Sequence, residues 1–142
     1  MTIYADTSFI VSYYLQDVHS PEADRRMKAG PSLWVTPLNR TEFALVLHQF
    51  VFRAAIALAE SRLVWQDFED DCSNGVWKEI DLPESIWERS IGLARKHGPK
   101  LGVRTLDSLH VACALELKAR QFWTFDERQA KLAKAGGLDT AM

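Results

Sequence analysis

The alternation of short strand-like runs with helical patterns constrains the fold of this chain more than any other feature of its sequence. Strand-like apolar runs occur at residues 2–5, 33–35, 76–80 and 122–125, and stretches with helical spacing of apolar residues lie between them and after the last one. Strands separated by helices usually pair in parallel, and right-handed crossovers place the helices on both faces of the sheet. The sequence therefore predicts an α/β protein with three layers, α/β/α, around a mainly parallel central sheet.

Turn and cap residues predict where the helices begin and end. Thr36-Pro37 has the cap and first-turn proline of a helix start. Asp81 is expected to cap the helix that Pro83 begins, and Gly98-Pro99 is expected to end that helix. Thr105 is expected to cap the next helix, which contains the run TLDSLHVACAL.

Length and charge limit the class of protein. The 142 residues fit one domain, 1–142, and the net charge of −2 gives no overall positive field, so any surface for nucleic acid must be local. The N-terminus has no basic leader, and no apolar run approaches the ~20 residues of a membrane helix, so we expect a cytoplasmic protein without a membrane anchor. Cys72 and Cys113 are isolated, which indicates neither a zinc site nor a disulfide framework.

Two acids follow strands in the same way. Asp6 comes after the first predicted strand and Asp126 after the last, and binding sites of parallel sheets form at the carboxyl ends of strands. If the two strands are neighbours, their carboxylates converge. Each acid also has a structural explanation, because Asp6 can cap its helix and Asp126 has capping-box spacing with Gln129. Asp107 lies in a first helical turn, where the helix dipole favours an anion.

Glu42 is harder to explain as a structural residue. At helical spacing it lies in line with Leu45 and Val46, on the face expected to be buried. A carboxylate there needs a partner or an ion. A salt bridge to Arg40 or Arg104 is the structural alternative.

Together these acids favour a metal site. At ~4 Å and an effective dielectric near 20, each pair of carboxylates repels by about 4 kcal/mol, so a cluster of four needs a cation. We expect the four to share a pocket that contains no neutralising arginine or lysine. The available donors are carboxylates and the hydroxyls of Ser8 and Thr124, a hard oxygen set that points to Mg²⁺ or Mn²⁺. The four acids are Asp6, Glu42, Asp107 and Asp126.

Four stretches, YADTSFIV, TEFA, TLDSLHVACAL and WTFDERQAKLA, resemble the PIN-domain ribonucleases, particularly the VapC-type toxins of toxin-antitoxin pairs. The resemblance spans nearly the whole chain and implies a PIN-like fold and a Mg²⁺- or Mn²⁺-dependent endoribonuclease. It matches the four acids to the family's acidic quartet, with Asp6 and Asp107 as the principal metal ligands, and Ser8 to its nearby hydroxyl. It also implies an RNA substrate, inhibition by a cognate antitoxin protein, and a homodimer.

Basic residues near the predicted catalytic helix have two interpretations. Either they hold the RNA backbone or they form solvated surface. The residues are Arg95, Lys96, Lys100 and Arg104. His110, in a D-x-x-H spacing with Asp107, is interpreted as a packed core residue rather than a metal ligand.

Two other functions remain as alternatives. In a non-catalytic partner-binding module, the acids only stabilise the fold. A metal-dependent phosphatase also places an Asp after its first strand, but Asp6-Thr7-Ser8 lacks the second aspartate of D-x-D, and the chain has no Gly-rich phosphate loop.

Overall fold

The structure, a computed structural model, describes residues 2–140. Its strands are β1 (Thr2–Ala5), β2 (Ser32–Val35), β3 (Trp77–Glu79) and β4 (Gln121–Trp123). Its helices are α1 (Thr7–Tyr14), α2 (Ser20–Lys28), α3 (Pro37–Phe52), α4 (Leu58–Ser73), α5 (Ile86–Leu101), α6 (Thr105–Glu116) and α7 (Glu127–Ala135). Within residues 2–140 no helix combines the length and the apolar composition needed to cross a membrane.

The strands form one parallel sheet in the order β3-β2-β1-β4. Strand β1 lies between β2 and β4, with Ile3 opposite both Leu33 and Gln121. The first and last strands of the chain are therefore neighbours. Directly after β1, the backbone N–H of Asp6 donates to the Trp123 carbonyl at 3.0 Å, so the two carboxyl ends meet.

Side chains of β1 alternate between two separate hydrophobic clusters, as the period of two in a strand requires. Ile3 and Ala5 pack with apolar residues of α1 to α4, whereas Tyr4 packs on the opposite face with α5, α6 and α7. Helices thus cover both faces of the sheet. The predicted three-layer α/β/α architecture with a parallel central sheet is confirmed.

Several predicted helix boundaries are wrong by a few residues. Helix α5 begins at Ile86 with Ser85 at its N-cap, so neither Asp81 nor Pro83 starts it. It continues past Gly98-Pro99, although Pro99 has no backbone N–H to donate, and its last residue is Leu101. The C-cap is Gly102, whose φ of 63° glycine adopts readily. Helix α6 is preceded by Arg104 as its N-cap, and Thr105 is its first residue.

The buried face of α3 also differs from the prediction. It is formed by Asn39, Phe43 and Leu47, while Leu45 is 59% exposed. Apolar residues occur around most of this helix, so its sequence does not identify the face that packs on the sheet. Glu42 consequently lies at the edge of the buried face, with 24% of its side chain exposed.

Candidate functional site

A cleft of about 390 Å³ lies where β1 and β4 end. It brings together four acids that come from well-separated segments of the chain, and the side chains of Ser8, Arg104 and His110 line it as well. The four acids are Asp6, Glu42, Asp107 and Asp126. The convergence expected if the first and last strands are neighbours is therefore present.

Asp6 is buried and held on both carboxylate oxygens. Its Oδ1 accepts from the Ser8 hydroxyl at 2.6 Å and from the Phe9 backbone N–H at 3.2 Å, the N-cap bond of α1. Its Oδ2 accepts from the Thr124 hydroxyl at 2.5 Å. Burial raises the pKa of Asp6, and the bonds from Ser8 and Thr124 oppose that rise.

Ser8 and Thr124 connect this carboxylate to the segment that carries Asp126. The Ser8 hydroxyl accepts from the Phe125 backbone N–H at 2.9 Å, and the Thr124 hydroxyl accepts from the Asp126 backbone N–H at 2.9 Å. The two predicted hydroxyls therefore join β1 to the turn after β4. Their contacts fix the backbone positions of two of the acids relative to each other.

Glu42 pairs with His110 rather than with an arginine. Its Oε1 accepts from the Thr7 hydroxyl at 2.8 Å and contacts Nε2 of His110. His110 is 1% exposed, and its Nδ1 lies 2.7 Å from the Tyr4 hydroxyl. The imidazole therefore bridges Tyr4 on its Nδ1 side and Glu42 on its Nε2 side. Burial alone would raise the pKa of Glu42. Its hydrogen bonds with His110 and Thr7 and the positive charge of Arg104 instead hold that pKa below its ordinary value.

The position of His110 joins two parts of the sequence interpretation. It is a packed, hydrogen-bonded residue as expected, yet it also lines the cleft. The sequence signal for this contact was its D-x-x-H spacing, which places His110 one helical turn after Asp107. What the spacing did not indicate was its partner on α3.

Asp107 and Asp126 share Arg104. The guanidinium donates from Nε to Asp107 Oδ2 at 2.9 Å and from Nη2 to Asp107 Oδ1 at 3.1 Å. The same Nη2 donates to Asp126 Oδ2 at 3.0 Å. These bonds raise the pKa of the Arg104 guanidinium. The expectation of a pocket without a neutralising arginine is therefore wrong, because the N-cap of α6 carries its side chain onto both acids.

Both acids also have the capping contacts that their positions predicted. Asp126 Oδ1 accepts from the Gln129 backbone N–H at 3.0 Å at the start of α7. Asp107 Oδ2 accepts from the Arg104 backbone N–H at 3.3 Å. Asp126 uses Oδ1 for capping and Oδ2 for the guanidinium, whereas Oδ2 of Asp107 accepts both the capping bond and a guanidinium bond.

The donor atoms of the cleft are of the kind that a hard divalent cation prefers, but their present arrangement does not form a site for one. Carboxylate and hydroxyl oxygens are the ligands that Mg²⁺ and Mn²⁺ prefer. As the side chains stand, however, no three acidic, histidine or cysteine residues within 2–140 form a group that could hold a metal ion. Arg104 supplies the positive charge between Asp107 and Asp126. These acids can serve a metal ion only when the guanidinium moves away, and its 57% exposure leaves it room to do so.

The predicted basic surface is divided by the fold. Arg104 lines the cleft, whereas Arg95, Lys96 and Lys100 are exposed along α5. A neighbouring depression, which shares Arg104 and Asp126 with the cleft, is lined by two further basic residues. These are Arg128 and Lys131 of α7, which the sequence interpretation did not select.

Comparisons with known proteins agree with this architecture. The family model described as PIN domain matches residues 3–135. No curated protein matches the sequence significantly.

Several solved structures have the same fold at low sequence identity. VapC20 from Mycobacterium tuberculosis, described as a sarcin-ricin loop cleaving toxin, is similar with a TM-score of 0.72 and 14% identity, over 96% of this chain and 95% of that one. FitAcB from Neisseria gonorrhoeae is similar with a TM-score of 0.71 and 12% identity, over 97% and 95%. A toxin-antitoxin complex from Klebsiella pneumoniae gives a TM-score of 0.61 and 14% identity, over 87% and 86%.

Proposed function

Because this chain belongs to the PIN domain family, we propose that it is a metal-dependent endoribonuclease and the toxin of a toxin-antitoxin pair. The observation that carries this proposal is the convergence of four carboxylates from four segments in one cleft. The VapC-type toxin among the similar structures supports the same reaction class. The substrate is RNA, and single-stranded or loop regions are the favoured targets because their bases are unstacked.

Mg²⁺ or Mn²⁺ is the cofactor we propose for this cleft. Asp6 and Asp107 would be its principal ligands, with Glu42 and Asp126 completing the acidic set. When bound, such an ion lowers the pKa of a coordinated water and offsets charge on the leaving oxygen.

The chain's own residues contribute orientation and proton handling. Ser8 and Thr124 hold the Asp6 carboxylate from two sides. Glu42 is ionised at neutral pH, because its pKa is lowered, and its Oε1 accepts from Thr7. Either Glu42 or Asp126 would position the nucleophilic water or accept its proton. Arg104 is suited to bind the scissile phosphate, because its planar guanidinium matches phosphate oxygens in the same bidentate way in which it holds Asp107.

The partners we propose follow from the similar structures and from the resemblance in sequence. A cognate antitoxin protein would inhibit the enzyme, as the toxin-antitoxin complex among its structural neighbours suggests. We also propose a homodimer, a single domain spanning 1–142 and a cytoplasmic location.

The test is cleavage of a mixed RNA pool by purified protein freed of copurifying inhibitor, with and without Mg²⁺ or Mn²⁺. Wild type and Asp107→Asn are compared side by side. We expect cleavage by wild type only with metal, no cleavage by the variant, and products with 5'-phosphate and 3'-hydroxyl ends, because water is the nucleophile. Products with 2',3'-cyclic phosphate ends would contradict the mechanism, since they require attack by the ribose 2'-hydroxyl.

A non-catalytic partner-binding module is the second candidate. The ion pairs of Arg104 with Asp107 and Asp126 favour it, because they satisfy two of the acids without a metal. For such a module we expect no RNA cleavage with either ion and no binding of Mn²⁺ by calorimetry. Binding of Mn²⁺ that is lost in Asp107→Asn would eliminate this candidate.

A further inference from the structure

Three aromatic rings form a continuous stack that ends at the mouth of the cleft. Phe9 stacks on Phe125 with ring centroids 5.4 Å apart and planes 16° from parallel. His19 stacks on Phe125 at 4.6 Å and 5°. Phe9 is fully buried, Phe125 is half-buried and His19 is exposed, so the stack runs from the core to the surface.

The loop between α1 and α2 holds the His19 backbone firmly. The Ser20 hydroxyl, which is buried, donates to the Ser12 and Leu15 carbonyls at 2.7 and 2.8 Å. The Asp17 carboxylate accepts from the His19 backbone N–H at 2.8 Å and from the Ser12 hydroxyl at 2.8 Å. An imidazole that is attached to a fixed backbone and already stacks on Phe125 loses little conformational entropy when a ligand stacks on its other face.

The same cleft is electrostatically unfavourable for a polyanion. Besides the four acids at its base, Asp17 lines it, and Arg104 is the one arginine or lysine among its described lining residues. RNA that brings a phosphate to these acids therefore needs contacts that do not depend on charge. A flat aromatic face supplies such a contact, because every nucleobase has a π-face and stacking tolerates any base.

Resting on the proposed function, we infer that His19, supported by Phe125, is a stacking platform for an unpaired base of the substrate RNA beside the position of cleavage. One face of the His19 imidazole lies against Phe125, and the side chain is otherwise exposed. The ring and the acids line one cleft, so an RNA strand whose phosphate is at the acids can place a neighbouring base on the platform. The chemical class of ligand is a purine or pyrimidine base in a single strand.

The experiment measures binding of a fluorescein-labelled single-stranded RNA of mixed sequence by fluorescence anisotropy, in EDTA so that no cleavage occurs. His19→Ala is expected to weaken binding about 5-fold or more, the loss that corresponds to removing one stacked base. His19→Phe keeps a flat ring and is expected to bind within about 2-fold of wild type. His48→Ala is the matched control, an exposed histidine on α3 whose ring contacts the Ala44 carbonyl, and it is expected to change nothing.

A second series locates the base on the platform. The RNA carries an abasic ribose at one position at a time, and one such position is expected to weaken wild type as much as His19→Ala does. In His19→Ala the same abasic position is expected to add no further loss, because the partner ring is already absent. Circular dichroism melting of each variant checks that the fold is retained.

Three results would overturn the inference. The first is unchanged RNA affinity in His19→Ala, and the second is no measurable binding of RNA by wild type. The third is an equal loss of affinity in His19→Ala and His19→Phe, which would assign the contact to the ring nitrogens. Failure of the proposed function is distinguishable, because it appears as no cleavage in the RNA pool assay with metal, whatever the binding series gives. Cleavage by wild type with no effect of His19→Ala on affinity would leave the proposed function standing and remove the platform.

Discussion

Removal of the Arg104 guanidinium tests whether this side chain neutralises the negative charge of Asp107 and Asp126. Arg104→Gln leaves Asp107, whose side chain is 5% exposed, without its charged partner, while Arg104 itself is 57% exposed. Breaking a fully buried pair costs about 3–5 kcal/mol, and a fully exposed pair contributes about 0.2–1 kcal/mol. For this intermediate pair we expect a loss of about 1–2 kcal/mol in the free energy of unfolding without metal.

The same substitution has the opposite effect on metal affinity. In wild type, an ion that takes Asp107 and Asp126 must displace the guanidinium from both carboxylates. By linkage, Arg104→Gln should tighten Mn²⁺ binding by the free energy that the displaced pair contributes, about 5- to 30-fold for 1–2 kcal/mol.

Urea unfolding in EDTA measures the stability, and isothermal titration calorimetry with Mn²⁺ measures the affinity. Arg89→Gln is the matched control, since Arg89 pairs with Glu116 at 3.9 Å and is 48% exposed, away from the acids. An Arg104→Gln protein that unfolds like wild type and binds Mn²⁺ no more tightly would refute the reasoning, because the guanidinium would then neither stabilise Asp107 nor compete with the ion.

Three further predictions concern the pH dependence and packing of the fold. Since the pKa of Glu42 is lowered from 4.5, its ionised form stabilises the fold above pH 4.5. The stability that wild type has over Glu42→Gln should therefore shrink as the pH falls through the lowered pKa. Urea unfolding across this range measures the difference, and a difference that grew would contradict the prediction. Burial raises the pKa of Asp6 from 3.8, so wild type should lose stability relative to Asp6→Asn as the pH rises above 3.8, a pH dependence opposite to that of Glu42. A stability difference that stays constant with pH would contradict this prediction. Phe43→Ala should lower the free energy of unfolding by about 3–5 kcal/mol because Phe43 is fully buried, whereas Leu45→Ala on the same helix should lower it by less than about 0.5 kcal/mol. Equal losses in denaturant unfolding would refute the buried face described for α3.

Sequence patterns predicted the architecture because the signals for it are local. Each strand is a short apolar run and each helix has its own periodicity, so the α/β class follows without any long-range information. The strand order β3-β2-β1-β4 was not predicted, and it is what makes β1 and β4 neighbours. The helix boundaries at Ser85, Gly102 and Arg104 were missed because caps depend on backbone angles that several residue types adopt.

The sequence by itself determined where three of the cleft's acids lie, since the acids after β1 and β4 and in the first turn of α6 occupy positions that local structure fixes. Only the tertiary structure decided how those groups are paired. Arg104 lies between Asp107 and Asp126, which are 19 residues apart in the sequence, and His110 meets Glu42 across 68 positions. Such pairings depend on how the helices pack on the sheet and on the competition of each carboxylate for the nearest donor, and neither is encoded in a local pattern.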